Sequence, residues 1–292
     1  MNLSYKEQYE AYRNHIEDYL DKDCFVYPDQ PQKNLFSAMR YSLLAGGKRI
    51  RPIMVFAFCD MCGNAWEKAA PFAAAVEMVH TYSLIHDDLP CMDNDDFRRG
   101  RPTNHKVYGE AVAVLAGDGL LTAAFERIAD ADLPAQARID AIKILSSCAG
   151  EKGMVGGQIL DMESECRECT QQDVIDIQSR KTGALIRAAC QLGVLAGAGS
   201  NAQLEAAGQF ADHLGLAFQI RDDMLDMIGD PTLLGKATGT DKNKNTYVQL
   251  YGLNKCDEMV KLHTNEAIKA LNAFDNSDFM KKLAIELVSR TK

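Results

Sequence analysis

Two groups of aspartates stand far apart in this chain. The first lies in His86-Asp87-Asp88-Leu89-Pro90-Cys91-Met92-Asp93-Asn94-Asp95-Asp96, with five carboxylates and no Lys or Arg among them. The second lies in Gln219-Ile220-Arg221-Asp222-Asp223-Met224-Leu225-Asp226. Like charges this dense disfavour ionisation of one another unless a cation offsets them. Mg²⁺ suits such a group, because it is hard, takes oxygen ligands and prefers a few carboxylates plus substrate phosphates. Asp222 and Asp226 are four apart, and Asp223 and Asp226 three apart, so a helix presents them on one face. In the first group Pro90 disfavours helix at Leu89, so a helix should end near Asp88. Carboxylates there meet the negative end of the helix dipole, which again calls for a cation. An EF-hand does not fit the run from Asp93, which lacks the third ligand and the turn glycine. The competing reading of either group alone is a solvated acidic loop or helix face.

Cations gather in two other places. Gly46-Gly47-Lys48-Arg49-Ile50-Arg51-Pro52 has two glycines and then three cations in four residues, and Arg98-Arg99-Gly100-Arg101-Pro102 follows the first aspartates directly. Arg forks bind phosphate oxygens in pairs, and glycine lets backbone approach closely. Lys181-Thr182, Gln219 and Lys236 are further candidates, each weak alone. No P-loop or Gly-rich nucleotide fingerprint follows a strand. The pattern suggests a metal-bridged diphosphate in one place and a metal-free diphosphate on basic residues nearby.

The elements that must carry these groups read as helices. Period-3.6 segments cover roughly 3–21, 32–45, 51–62, 66–88, 107–130, 135–151, 171–198, 201–229, 255–272 and 276–289, without sustained period-2 alternation. Pro52, Pro71 and Pro134 stand where helices would start. This predicts an all-α, single-domain bundle of about ten or more helices over residues 1–292, around a deep core. The irregular stretch 229–246 reads as a functional flap. The 292 residues carry a net charge of −9, which argues against nucleic acid as a partner. No stretch is long and apolar enough for a membrane span. Nine Cys without a secretory signal suggest a reducing, cytoplasmic setting. Cys59-x-x-Cys62 and Cys166-x-x-Cys169 lack the spacing of a shared zinc site.

Six strings occur in order: Gly46-Gly47-Lys48-Arg49-Ile50-Arg51-Pro52; Asp87-Asp88-x4-Asp93 with Arg98-Arg99-Gly100; Gly157-Gln158-x-x-Asp161; Lys181-Thr182-Gly183; Gln219-x-x-Asp222-Asp223-x-x-Asp226; and Gly235-Lys236. On these the chain resembles the trans-isoprenyl diphosphate synthases, most nearly the bacterial farnesyl diphosphate synthases, along essentially its whole length. The resemblance implies the isoprenoid synthase fold with a deep central cavity, a homodimer and three Mg²⁺. It implies that an allylic diphosphate ionises, isopentenyl diphosphate attacks the cation, and a proton is lost. Asp87, Asp88, Asp93 and Asp222 would hold the metals, with Asp223 and Asp226 in support. Arg98, Lys181, Thr182, Gln219 and Lys236 would bind the allylic diphosphate. Lys48, Arg51, His80 and Arg99 would bind isopentenyl diphosphate; without the resemblance, His80 would read as a core histidine.

Tyr82 and Ser83 precede Asp87 by five and four residues, or about 6–7.5 Å along a helix. A ring there could floor the tail tunnel, and the resemblance couples an aromatic at this position to farnesyl products. The nearest alternative is a geranylgeranyl diphosphate synthase, against which Tyr82 argues. A terpene cyclase would not need Lys48, Arg51 and Arg99. A non-catalytic subunit of a heteromeric prenyl synthase would be expected to have lost metal ligands, and a metal-binding scaffold would have no reason to carry the basic strings. Lys-Asn-Lys-Asn at 242–245 departs from the longer, Gly-containing loop of the family, which bears on flap closure.

Overall fold

The computed structural model describes residues 3–24, 30–164, 167, 169–228 and 246–289. Within them the chain is helical apart from turns and one two-stranded hairpin. It forms two compact units, Met1–Lys143 with Leu195–Ala198, and Ile144–Val194 with Gly199–Lys292.

In the first unit the helices are α1 (Tyr5–Lys22), α2 (Lys33–Leu43), α3 (Ile50–Met61), α4 (Ala70–Asp87), α5 (Asn104–Tyr108), α6 (Glu110–Ala129) and most of α7 (Ala135–Ala149). Ser4 and Glu7 close a capping box that starts α1, and Tyr12, Ile16 and Leu20 form its buried stripe. α3 and α4 are apolar nearly all round and form the core, with Phe56, Phe58, Phe72 and Met78 fully buried. Each such side chain stabilises the fold by about 1.5–3 kcal/mol through area removed from water. One charge interrupts the apolar run of α4, at Glu77. The segment expected at 107–130 is broken at Gly109, whose φ of 85° no helix accommodates, so α5 and α6 are separate.

In the second unit the helices are α8 (Met154–Ser164), α9 (Gln171–Gln178), α10 (Ala184–Ala196), α11 (Asn201–Ile228), α12 (Tyr247–Ala270) and α13 (Asp278–Ser289). α11 packs along α12, with Phe210, Leu214, Ala217 and Ile220 buried on α11 and Val260 and Ala267 buried on α12. The expected helix 171–198 is continuous, but it widens to a π-turn at Ser179–Gly183. Such bulges cluster at functional sites. α8 was not expected, because Gly156 and Gly157 depress its helix propensity. Packing requires at least the last of these: a Cβ on Gly157 would overlap the Lys181 backbone. Among the described residues no helix is long and apolar enough to cross a membrane.

Candidate active site

α4 ends at Asp87, as Pro90 requires, and Asp88 caps it with N–H donated back to Leu84 and His86. The chain then doubles back. Asp93 N–H donates to the Asp87 carbonyl at 2.8 Å, and Asn94 turns the corner at φ 53°. Asp87 and Asp93 are thereby returned to one helix end. Asp88 is 3% exposed and holds Arg98 in a fork, with Arg98 Nε 2.8 and 3.0 Å from its two oxygens and Nη2 at 2.6 Å. Burial raises the Asp88 carboxyl above its usual range even though the hydrogen bonds and charge of Arg98 pull it down. Arg98 also loses solvation, but Asp88 and Asp95 hold it charged.

A two-residue hairpin pairs Phe97 with Pro102 and Arg98 with Arg101. Its turn residues Arg99 and Gly100 have φ of 53° and 74°, the type I′ pattern that matches strand twist. The hairpin is tied to α2, where the Tyr41 hydroxyl donates to Pro102 O and the Arg101 guanidinium lies 4.6 Å from the Tyr41 ring centre. The turn throws Arg99 onto the other basic string, where its guanidinium donates to Gly46 O. Gly47, at φ 129°, leaves room for it; a side chain there would strike the guanidinium. Lys48 is exposed and Arg51 is half-buried. The buried Nε of Arg51 has no hydrogen-bond partner among the described residues, as expected of a group kept for a ligand. Burial and the Arg99 charge weaken its hold on a proton, partly offset by Glu77. His80 sits seven residues before Asp87. Burial first, then the charges of Arg51, Arg99, Arg98 and Arg49, push it well below the usual range, so it is neutral at pH 7. A cleft in this unit is lined by Tyr41, Leu84, Asp88, Arg98, Arg99 and Asn104, among others. Tyr82 and Ser83 are not among its lining residues.

Tyr82 is 6% exposed, with its ring edge-on to His86 at 5.7 Å. Burial and nearby Asp87 push its hydroxyl up to about 12. Ser83 donates to His80 O at 2.9 Å. His86 meets Val114 O on α6 at 3.0 Å, and the ring fits only because residue 117 is glycine.

In the second unit Lys181 and Thr182 lie in the π-turn, and Lys181 Nζ donates to Asp161 on α8 at 2.6 Å. On α11, Asp222 and Asp226 are one turn apart and half-buried. Asp223 is buried; it accepts from Gln219 Nε2 at 3.0 Å and from Tyr247 N, the first residue of α12, at 2.9 Å. Both Asp223 oxygens therefore already hold protein donors. Lys236 and Cys166 lie outside the described residues. Among the described residues no three His, Cys, Asp or Glu side chains are gathered into a ready metal site. The donors at Asp87, Asp88 and Asp93 are nonetheless all hard carboxylate oxygens on a folded-back loop, which is a chemistry that fits Mg²⁺.

The polyprenyl synthetase family model matches residues 32–287. The farnesyl diphosphate synthase of Bacillus subtilis is 46% identical over 244 residues, 82% of each chain. A heterodimeric geranylgeranyl pyrophosphate synthase large subunit of Arabidopsis thaliana is 45% identical over 272 residues, 90% of this chain and 73% of that one. Among solved structures, an FPP/GFPP synthase of Zymomonas mobilis aligns with a TM-score of 0.87 at 34% identity, over 98% of this chain and 99% of that one. The chain belongs to the polyprenyl synthetase family. Within that family frame, several residues of the site acquire a role only in three dimensions. Asp161 was part of a matched string but carried no role until its contact with Lys181. Glu77 was visible as a lone charge in an apolar run, a signal that does point to a buried partner. Tyr247, whose backbone N–H holds Asp223, left no sequence signal.

Proposed function

We propose that the chain is a prenyltransferase that condenses isopentenyl diphosphate with dimethylallyl and then geranyl diphosphate, and stops at farnesyl diphosphate. The observation that carries this is the pairing of unlike groups around α4: carboxylates Asp87, Asp88 and Asp93 at its end, and Arg51, Arg99 and neutral His80 further back. A reaction between two diphosphates needs one that ionises and one that stays intact, and hence two sites of different character.

In the reaction the allylic C–O bond breaks and the diphosphate leaves with the electron pair. The double bond of isopentenyl diphosphate attacks the allylic cation, forming one C–C bond. A proton is then lost from the carbon beside the new cation, and the departed diphosphate can accept it, so no protein base is assigned. Asp87, Asp88 and Asp93, and on α11 Asp222 with Asp223 and Asp226, are the residues that would hold Mg²⁺, three ions by the resemblance. Mg²⁺, when bound, neutralises charge on the leaving diphosphate. Arg98, Lys181, Thr182, Gln219 and Lys236 add cationic and hydrogen-bonding stabilisation of the same charge. Lys48, Arg51, Arg99 and His80 hold the isopentenyl diphosphate, with His80 as a neutral hydrogen-bonding group. Residues 1–292 act as one domain, supported by a family match that spans both compact units. A cytoplasmic homodimer completes the reading. The exposed Val114 and Leu115 on α6 offer an apolar face for the dimer.

The test is condensation by purified protein with Mg²⁺, isopentenyl diphosphate and either primer, with products sized as alcohols. A dominant fifteen-carbon product that disappears with chelator supports the reading. A twenty-carbon product would replace the stated product with geranylgeranyl diphosphate. No product from folded protein with either primer would refute catalysis.

A further inference from the structure

Arg49 stands between Lys48 and Arg51 in sequence but has a different environment. It is 3% exposed, while Lys48 is exposed. Its guanidinium donates to Glu17 Oε1 on α1 at 2.7 Å, Glu77 Oε1 on α4 at 2.6 Å and Leu43 O at the end of α2 at 2.7 Å, with a longer bond to Glu17 Oε2 at 3.3 Å. These use four of the five N–H donors of a guanidinium. Arg49 therefore has almost nothing left to offer a phosphate. Its backbone is also left-handed, at φ 51° and ψ 34°, immediately before α3 begins. A non-glycine residue keeps that conformation only where its surroundings enforce it. Here three helices meet on its side chain.

Glu77 is 2% exposed and lies three residues before His80. Its charge reaches beyond Arg49: it favours the charged forms of Arg51, which Arg99 opposes, and of Arg99, which Arg49 and Arg98 oppose. One buried carboxylate thus offsets repulsion among guanidinium groups that must stay close together.

We propose that the Arg49–Glu77 pair, completed by Glu17, is a positioning device for the metal-free diphosphate site. It clamps the Gly46–Arg51 turn to α1, α2 and α4, which sets where Lys48 and Arg51 stand. Arg49 does not bind the diphosphate. This inference rests on the proposed function, because it assigns Lys48, Arg51 and Arg99 to isopentenyl diphosphate.

The test compares Glu77→Gln and Glu17→Gln with the wild type by steady-state kinetics, varying each substrate in turn, alongside thermal unfolding. Glu77→Gln keeps shape and removes the charge. Glu17 is partly exposed, so its variant tolerates the change better if Glu77→Gln fails to fold. The expected result is a KM for isopentenyl diphosphate raised by about tenfold or more. The KM for geranyl diphosphate should stay within about twofold. Smaller changes of the same selectivity are expected for Glu17→Gln. A purely structural pair would lower Tm and affect both substrates alike. Folded variants with unchanged KM for isopentenyl diphosphate, or with equal changes for both substrates, overturn the inference while wild-type activity leaves the proposed function standing. A wild type without condensation activity overturns both.

Discussion

Replacing Tyr82 by Ala should lengthen the product. Tyr82 is buried on α4 five residues before Asp87, so its ring sits about 7.5 Å back along the helix from that carboxylate. Without the ring, the next side chains on the same face are Met78 and Val79, both fully buried. Met78 lies one turn deeper, a gain of about 5.4 Å and comparable with the reach of one further isoprene unit. The variant should therefore shift the main product from fifteen to twenty carbons. It should also be less stable. Truncating a buried aromatic to Ala costs about 3–5 kcal/mol, and the edge-on packing against His86 at 5.7 Å contributes to that loss. At roughly 2–4 °C per kcal/mol for a chain of this size, Tm should fall by about 6–20 °C. The assay is chromatography of dephosphorylated products at a temperature where unfolding scans show the variant folded. Tyr82→Phe is the control and should keep the fifteen-carbon product, because the ring rather than the hydroxyl fills the space. A folded, active Tyr82→Ala enzyme that still makes only the fifteen-carbon product would refute this account of the floor.

Two other predictions follow from particular contacts. Asp161→Asn removes the charged partner of Lys181, a hydrogen bond of 2.6 Å, and should lower kcat/KM for geranyl diphosphate by roughly 1.5–3 kcal/mol, about ten- to 150-fold; unchanged kinetics would mean that Lys181 is positioned without it. His80 has a folded-state pKa below its unfolded value, so below about pH 6.5 the unfolded state binds the extra proton. Stability should then fall on acidification from pH 7 to 5, by at most about 1.4 kcal/mol per pH unit from this group. Urea midpoints across that range should show a shallower slope for His80→Gln, and identical slopes would exclude His80 as a contributor. His263, depressed by burial and by His213, adds a share in the same direction that remains in the variant.

Much of this protein was legible in its sequence because the relevant physics is local. Helical periodicity, Pro90 after Asp88 and the prolines at helix starts act over one or two turns, so they set helix identity, the end of α4 and the shared faces of the second aspartate group. The order of six short strings was enough to suggest the family. Tertiary structure decided what joins residues distant in the chain. Arg99 reaches Gly46 across 53 residues, Arg49 reaches Glu77 across 28, and Tyr247 holds Asp223 across 24. It also overruled local propensity at α8, where Gly157 is poor for a helix but gives close passage to the Lys181 backbone. Residue type and spacing can nominate a charge for binding or for burial; Lys48, Arg49 and Arg51 look alike in sequence. Only packing separates them, because a guanidinium already bonded to two carboxylates and a carbonyl has little capacity left for a ligand, whereas one with a buried, unpartnered N–H does.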